Sequence, residues 1–175
     1  MVLIKDKEFV PYISASTLKK RIEELGADIS KDFSDGPAVL IGVLNGAFMF
    51  LSDLTKTIKV PIEVTFIRVA SYIGSESSGE IKHLMGLDLD LEGKSVILVE
   101  DIIDTGLSMK FLLELIRDKK PKKIAVASLL LKPDALVHDI KVDYLGFEIS
   151  NRFVVGYGMD YDGLGRNLPA LYQLK

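Results

Sequence analysis

Two adjacent carboxylates, Glu100 and Asp101, directly follow an unbroken apolar run, Val96-Ile97-Leu98-Val99, and three residues later Asp104-Thr105-Gly106-Leu107-Ser108 opens a segment of helical periodicity. A loop of Thr, Gly and Ser entering a helix offers unpaired backbone N–H groups, two hydroxyls and the positive end of the helix dipole. Those groups suit a phosphate. The two carboxylates would repel a phosphate, and suit hydroxyl donors or a divalent cation. The stretch therefore predicts a ligand with a phosphate at one end and a diol beside it, alone or with Mg²⁺, and a ribose 5-phosphate fits. The alternative is that Asp104 or Thr105 caps the helix and the acid pair is a solvated strand end. Two acids placed after a buried strand favour the ligand.

The elements that must position these groups follow from periodicity. Val96 to Val99 reads as a strand buried on both faces of a parallel sheet, ending at the acids, and ligands of open α/β sheets bind beyond such strand ends. Ala38 to Leu44 is a second strand of this kind, followed by the turn Asn45-Gly46 and a helix with Ala47, Phe50, Leu51, Leu54 and Ile58 on one face. Ile62 to Val69, Ile124 to Leu131 and Val142 to Ile149 are further strands. An earlier helix carries Leu18, Ile22, Leu25 and Ile29 at helical spacing, with Ser16 as its N-cap, and a later one carries the stripe Phe111, Leu112, Leu115 and Ile116, with Lys119 and Lys120 at its end and Pro121 as its stop. Alternating strands and helices predict an α/β fold with a mainly parallel sheet covered on both faces. The polar, glycine-containing run from Ile73 to Glu80 is long for an internal loop and reads as a lid or an unimportant surface excursion. Asp88-Leu89-Asp90 follows no buried strand and is assigned no chemistry.

The 175 residues match a single domain, and 22 basic against 25 acidic residues, a formal charge of −3, give no electrostatic reason to expect nucleic acid or an anionic membrane. Without cysteine there are no disulfides or thiolate metal sites, and two histidines, His83 and His138, make a histidine-based zinc site improbable. Any metal should be oxygen-bound. No signal-peptide core precedes Tyr12 and no apolar run has bilayer-spanning length, so a cytoplasmic chain is expected.

Val99-Glu100-Asp101-Ile102-Ile103-Asp104-Thr105-Gly106 resembles the phosphoribosyl-pyrophosphate signature of the type I phosphoribosyltransferases, in the wording of their hypoxanthine-guanine branch. Val43-Leu44-Asn45-Gly46, Ser71-Tyr72, Leu131-Lys132-Pro133, Gly146-Phe147-Glu148, Phe153 to Tyr157 and Asp160-Tyr161 follow in that family's order and near its spacing, from about residue 35 to about residue 170. The resemblance implies the type I phosphoribosyltransferase fold: a core over about 35–150, a small hood from the N-terminal segment and about 150–175, and a flexible lid over about 71–86.

It further implies roles. Leu44, Asn45 and Gly46 would bind pyrophosphate through backbone N–H groups, although the family commonly has lysine where Asn45 stands. Ser71 and Tyr72 would close over the reacting centre, and Thr105, Gly106, Leu107 and Ser108 would cradle the 5-phosphate. Some relatives have a basic residue where Leu107 stands. Glu100 and Asp101 would hold the ribose hydroxyls that orient Mg²⁺, Asp160 a second Mg²⁺, and Arg166 would lie near the pyrophosphate. Lys132 would donate to the 6-oxo group of a purine and so disfavour adenine. Phe153 would stack on the purine, Val154 would offer backbone groups to it, and Asp104, near N7, would be the general acid/base. The expected activity is Mg²⁺-dependent transfer of the phosphoribosyl group from phosphoribosyl pyrophosphate to N9 of hypoxanthine or guanine, giving IMP or GMP and pyrophosphate, by a homodimer or homotetramer. A xanthine-preferring enzyme and a nucleotide-sensing transcription regulator of the same fold are the alternatives. The acidic balance and the lack of a clustered basic face disfavour the regulator.

Overall fold

The computed structural model describes the backbone of residues 1–71, 81–85 and 90–175. Its main sheet has six strands: β3 (Ala38–Leu44), β4 (Ile62–Ser71), β5 (Ile81–Met85), β6 (Ser95–Ile103), β7 (Lys123–Leu131) and β8 (Tyr144–Glu148). Their order is β5-β4-β3-β6-β7-β8, parallel throughout except for the antiparallel edge strand β5. Val39, Ile41, Val96, Leu98 and Val126 pack on one face against α3 (Leu107–Arg117). Leu40, Ile97, Val99 and Ala125 pack on the other, against α1 (Ala15–Asp32) and α2 (Phe48–Thr57). Truncating a side chain as buried as Leu98 to alanine would cost about 2–5 kcal/mol. A second, four-stranded antiparallel sheet joins the two ends of the chain: β1 (Val2–Ile4) pairs with β2 (Lys7–Ile13), β2 with β10 (Leu171–Leu174), and β10 with β9 (Val154–Val155). This is the hood that the family resemblance implies. Among the described residues no helix is long and apolar enough to cross a membrane.

Three local expectations are corrected. The N-cap of α1 is Ser14, whose Oγ accepts from the Thr17 N–H at 3.1 Å, and Ser16 lies inside the helix. The buried stripe of α3 is Met109, Leu112, Leu113 and Ile116, so Phe111 and Leu115 flank it, and the helix ends at Arg117, before Lys119 and Lys120. Strand β6 does not end at the acids. It leaves β3 after Val99 but pairs with β7 as far as Ile103, which carries Glu100 and Asp101 on an ordered strand. Of the stretch expected as a lid, Ile81–Met85 is strand β5, while Tyr72 and most of the remainder lie outside the described residues.

Candidate active site

The sheet changes direction between β3 and β6: the chain passes from β3 through α2 to β4 on one side, and the next parallel strand is laid on the other. Ligands of doubly wound sheets bind at such a switch point, where the loops of neighbouring strands diverge. The loops here are Leu44-Asn45-Gly46, after β3, and the segment from Glu100 to Ser108, along the end of β6. They touch, because a Cβ on Gly46 would lie 1.7 Å from Asp101 Oδ2. Only glycine leaves room for that carboxylate. The Leu44–Asn45 peptide is cis.

Glu100 is buried, and burial, reinforced by the neighbouring Asp101 charge, pushes its carboxyl well above the ordinary range. Burial also raises Asp101, opposed by hydrogen bonds and by the Arg166 guanidinium. Neither carboxylate makes an ion pair among the described residues. Buried oxygen donors held in this way would be stabilised by a hard cation, so the pair fits Mg²⁺. Among the described residues no three such side chains converge, so the remaining coordination positions would fall to ligand and water oxygens.

Beyond the pair, Gly106 takes a positive φ of 81° and caps the N-terminus of α3 without a side chain of its own, and the Leu107 N–H donates to Thr105 Oγ1 at 3.4 Å. Backbone N–H groups of Val137 and His138 donate to the Thr105 carbonyl at 3.0 and 3.2 Å, bracing the turn. A cavity of about 100 Å³ is bounded here by Glu100, Asp104, Thr105, Gly106, Leu107 and Ser108. A second cavity of about 240 Å³, sharing Ile102 and Asp104 with the first, is lined by Asp101, Ile102, Asp104, Lys132, Phe153, Val154, Met159 and Asp160. Lys132, at the end of β7, is only 8% exposed and donates from Nζ to Asp104 Oδ2 at 2.9 Å. The Phe153 ring is open to solvent at the rim, and Val154 and Met159 are buried behind it.

The predicted residues from Glu100 to Ser108, with Lys132, Phe153, Val154 and Asp160, thus line two adjoining cavities, whereas Leu44, Asn45, Gly46 and Arg166 line neither. Ser71 closes β4 and Tyr72 is outside the described residues, so their part lies beyond this description. Arg166 is bound internally: Nη2 pairs with Asp160 Oδ1 at 2.5 Å and Nη1 donates to the Gly158 carbonyl at 2.6 Å. Ile102 and Met159 line the larger cavity without having been singled out. Their signal was position, one inside the acid motif and one beside Asp160.

A family model, the phosphoribosyl transferase domain, matches residues 14–162. A hypoxanthine-guanine phosphoribosyltransferase of Bacillus subtilis is 44% identical over 93% of this chain and 91% of its own, and one of Aquifex aeolicus is 40% identical over 98% of both. Among solved structures, a hypoxanthine-guanine phosphoribosyltransferase of Bacillus anthracis superposes with a TM-score of 0.90 at 37% identity, covering 97% of this chain and 98% of that one. The Trypanosoma cruzi hypoxanthine phosphoribosyltransferase in complex with the product IMP superposes with a TM-score of 0.90 at 32% identity, covering 100% and 98%. The chain belongs to the phosphoribosyltransferase family, in its hypoxanthine-guanine branch. It is a transferase of purine salvage.

Proposed function

We propose that this chain transfers the phosphoribosyl group of phosphoribosyl pyrophosphate to N9 of hypoxanthine or guanine, releasing IMP or GMP and pyrophosphate. The observation that carries the reading is the Asp104–Lys132 pair, set between a purine-sized cavity and the phosphate turn of α3. In this reading the 5-phosphate rests on Thr105, Gly106, Leu107 and Ser108, the ribose hydroxyls on Glu100 and Asp101, and the pyrophosphate on Leu44, Asn45 and Gly46, with Arg166 released from Asp160 towards it. Ser71 and Tyr72 close the site. Lys132 donates to the purine 6-oxo group, Phe153 stacks on the ring, and Val154 offers backbone groups to its edge.

The bond from C1′ to the pyrophosphate oxygen breaks as N9 bonds to C1′ from the opposite face, and the ribose acquires oxocarbenium character. The charges of Glu100 and Asp101 favour that developing cation. Glu100, Asp101 and Asp160 would hold Mg²⁺, which would supply charge neutralisation for the departing pyrophosphate. Asp104 exchanges the purine proton at N7. The family resemblance adds a cytoplasmic homodimer or homotetramer with one domain per chain.

Steady-state kinetics of Asp104→Asn test the assignment. General acid/base help is worth about 10² to 10⁴ in rate, so kcat should fall by that factor while KM for phosphoribosyl pyrophosphate changes little. Wild-type turnover in the variant would remove Asp104 from the chemistry. A chain that bound phosphoribosyl pyrophosphate yet turned over no purine would instead support the sensor reading.

A further inference from the structure

Phe153 is 45% exposed, and the face it turns to the larger cavity is backed by an aromatic cluster from both ends of the chain. Tyr161 meets Phe153 edge-on, with ring centroids 5.9 Å apart and planes at 85°. Phe9, fully buried on β2, touches both rings, at 6.3 Å from Phe153 and 6.1 Å from Tyr161. Tyr161 is itself held from the hairpin of β1 and β2: its hydroxyl donates to Asp6 Oδ1 at 2.9 Å, and Lys7 Nζ lies 4.5 Å from its ring centroid. The Phe153 backbone is tied to the C-terminal strand, its carbonyl accepting from the Leu174 N–H at 2.9 Å.

A stacking ring contributes to binding in proportion to how firmly its plane is fixed before the ligand arrives, since a half-exposed phenyl ring that rotates must be ordered by the ligand itself. The backbone tie fixes where Phe153 begins. Only a contact on the ring edge fixes its plane. Tyr161 supplies that contact in the T-shaped geometry that aromatic quadrupoles prefer, and it is anchored at its hydroxyl and over its face.

We propose that Tyr161 is a positioning residue for purine binding: held by Asp6, Lys7 and Phe9 of the N-terminal hairpin, it sets the plane of Phe153. The inference rests on the reading of Phe153 as the purine-stacking ring. It gives the hairpin, which touches no substrate, control over affinity for the base and none over affinity for the sugar phosphate.

The test is a double-mutant cycle on the full chain, reading KM for hypoxanthine, KM for phosphoribosyl pyrophosphate and kcat separately. Tyr161→Leu should raise KM for hypoxanthine about three- to tenfold, the value of one lost aromatic pair, and leave the other two constants within about twofold. Tyr161→Phe keeps the ring edge and its Lys7 and Phe9 contacts but loses the Asp6 bond, so it should restore part of the loss. In a Phe153→Leu background the Tyr161→Leu change should have no further effect on KM for hypoxanthine, because its route is already gone. Parallel rises in both KM values, or additive effects of the two changes, would overturn the proposal. If Phe153→Leu alone left KM for hypoxanthine unchanged, the stacking reading beneath it would fail, and the inference with it. Should Tyr161→Leu not fold, Asp6→Ala with Lys7→Ala loosens Tyr161 from the exposed side. A selective rise in KM for hypoxanthine would then support the proposal, and unchanged kinetics would overturn it.

Discussion

Glu100 occupies an unusual place for a carboxylate, buried within a central strand, beside a second acid. Removing a charge from water costs more than most pair interactions return, and here no ion pair among the described residues compensates. The site is thus maintained against stability, as expected where binding energy is kept for a ligand. Replacing Glu100 by Gln should stabilise the metal-free protein by about 1 to 2 kcal/mol, or roughly 2–8 °C in melting temperature, while weakening phosphoribosyl pyrophosphate. A thermal denaturation series in metal-free buffer checks this, and a lower melting temperature would contradict it. The acid pair was legible in sequence because both residues stand together after an apolar run. The Asp104–Lys132 bond was not: 28 residues separate its partners, and only the parallel pairing of β6 with β7 brings their ends together. Arg166 was assigned by resemblance to the pyrophosphate, and its present partner Asp160 depends on a turn whose path no periodicity reveals.

At the scale of elements, the parallel strands and the three helices were readable because each carries a clean apolar pattern, whereas boundaries followed local competition. Ser14 outcompetes Ser16 as the cap of α1 because its hydroxyl reaches the Thr17 N–H. Within α3 the stripe is turned towards Met109 and Leu113, since the sheet face and not the most hydrophobic spacing decides which side is buried. The contact between the loop after β3 and Asp101 yields a direct prediction. Gly46→Ala would drive a methyl group into the carboxylate, displacing either the loop after β3 or Asp101, to which the proposal assigns the pyrophosphate and the ribose. A displacement of about 1 Å costs on the order of 10² in rate, so kcat/KM for phosphoribosyl pyrophosphate should fall by about that factor, with KM for hypoxanthine much less affected. An alanine variant of wild-type efficiency would mean that the loop does not bear on the sugar phosphate.

Phenol-to-carboxylate bonds join helices to strands and hood: Tyr144 donates to Asp32 of α1 at 2.9 Å and Tyr157 to Asp53 of α2 at 2.5 Å. Burial first, and the acceptor carboxylate second, push both phenols far above their ordinary value. A group whose folded pKa is raised contributes stability that is complete below its unfolded pKa, about 10 for tyrosine, and is lost as pH climbs above it. Alkaline titration followed by phenolate absorbance should therefore leave Tyr144 and Tyr157, among the six tyrosines, protonated until the chain unfolds. Complete titration of a still-folded protein near pH 10 would contradict these contacts.

The whole molecule is organised by two sheets of different character. The parallel sheet was legible from its apolar runs, and the hood was not legible from pattern, since β1, β2, β9 and β10 are short and half-exposed and their pairing closes nearly the full length of the chain. Family resemblance, not periodicity, anticipated it. The proposed function draws on both sheets, since the strand ends of one carry the acids, the turn entering α3 and Lys132, while Phe153 stands directly before β9 of the other.

The proposed selection of a 6-oxopurine for phosphoribosyl transfer is read out by kcat/KM with hypoxanthine, guanine, xanthine and adenine, each with phosphoribosyl pyrophosphate and Mg²⁺ and with an EDTA control. A site built to donate to a carbonyl rejects a mismatched analogue by about 10⁴, so hypoxanthine or guanine should exceed adenine by that order, and Lys132→Gln, which can accept as well as donate, should narrow the gap by about tenfold or more. Adenine used as readily as hypoxanthine, or a gap unchanged in the variant, would contradict it.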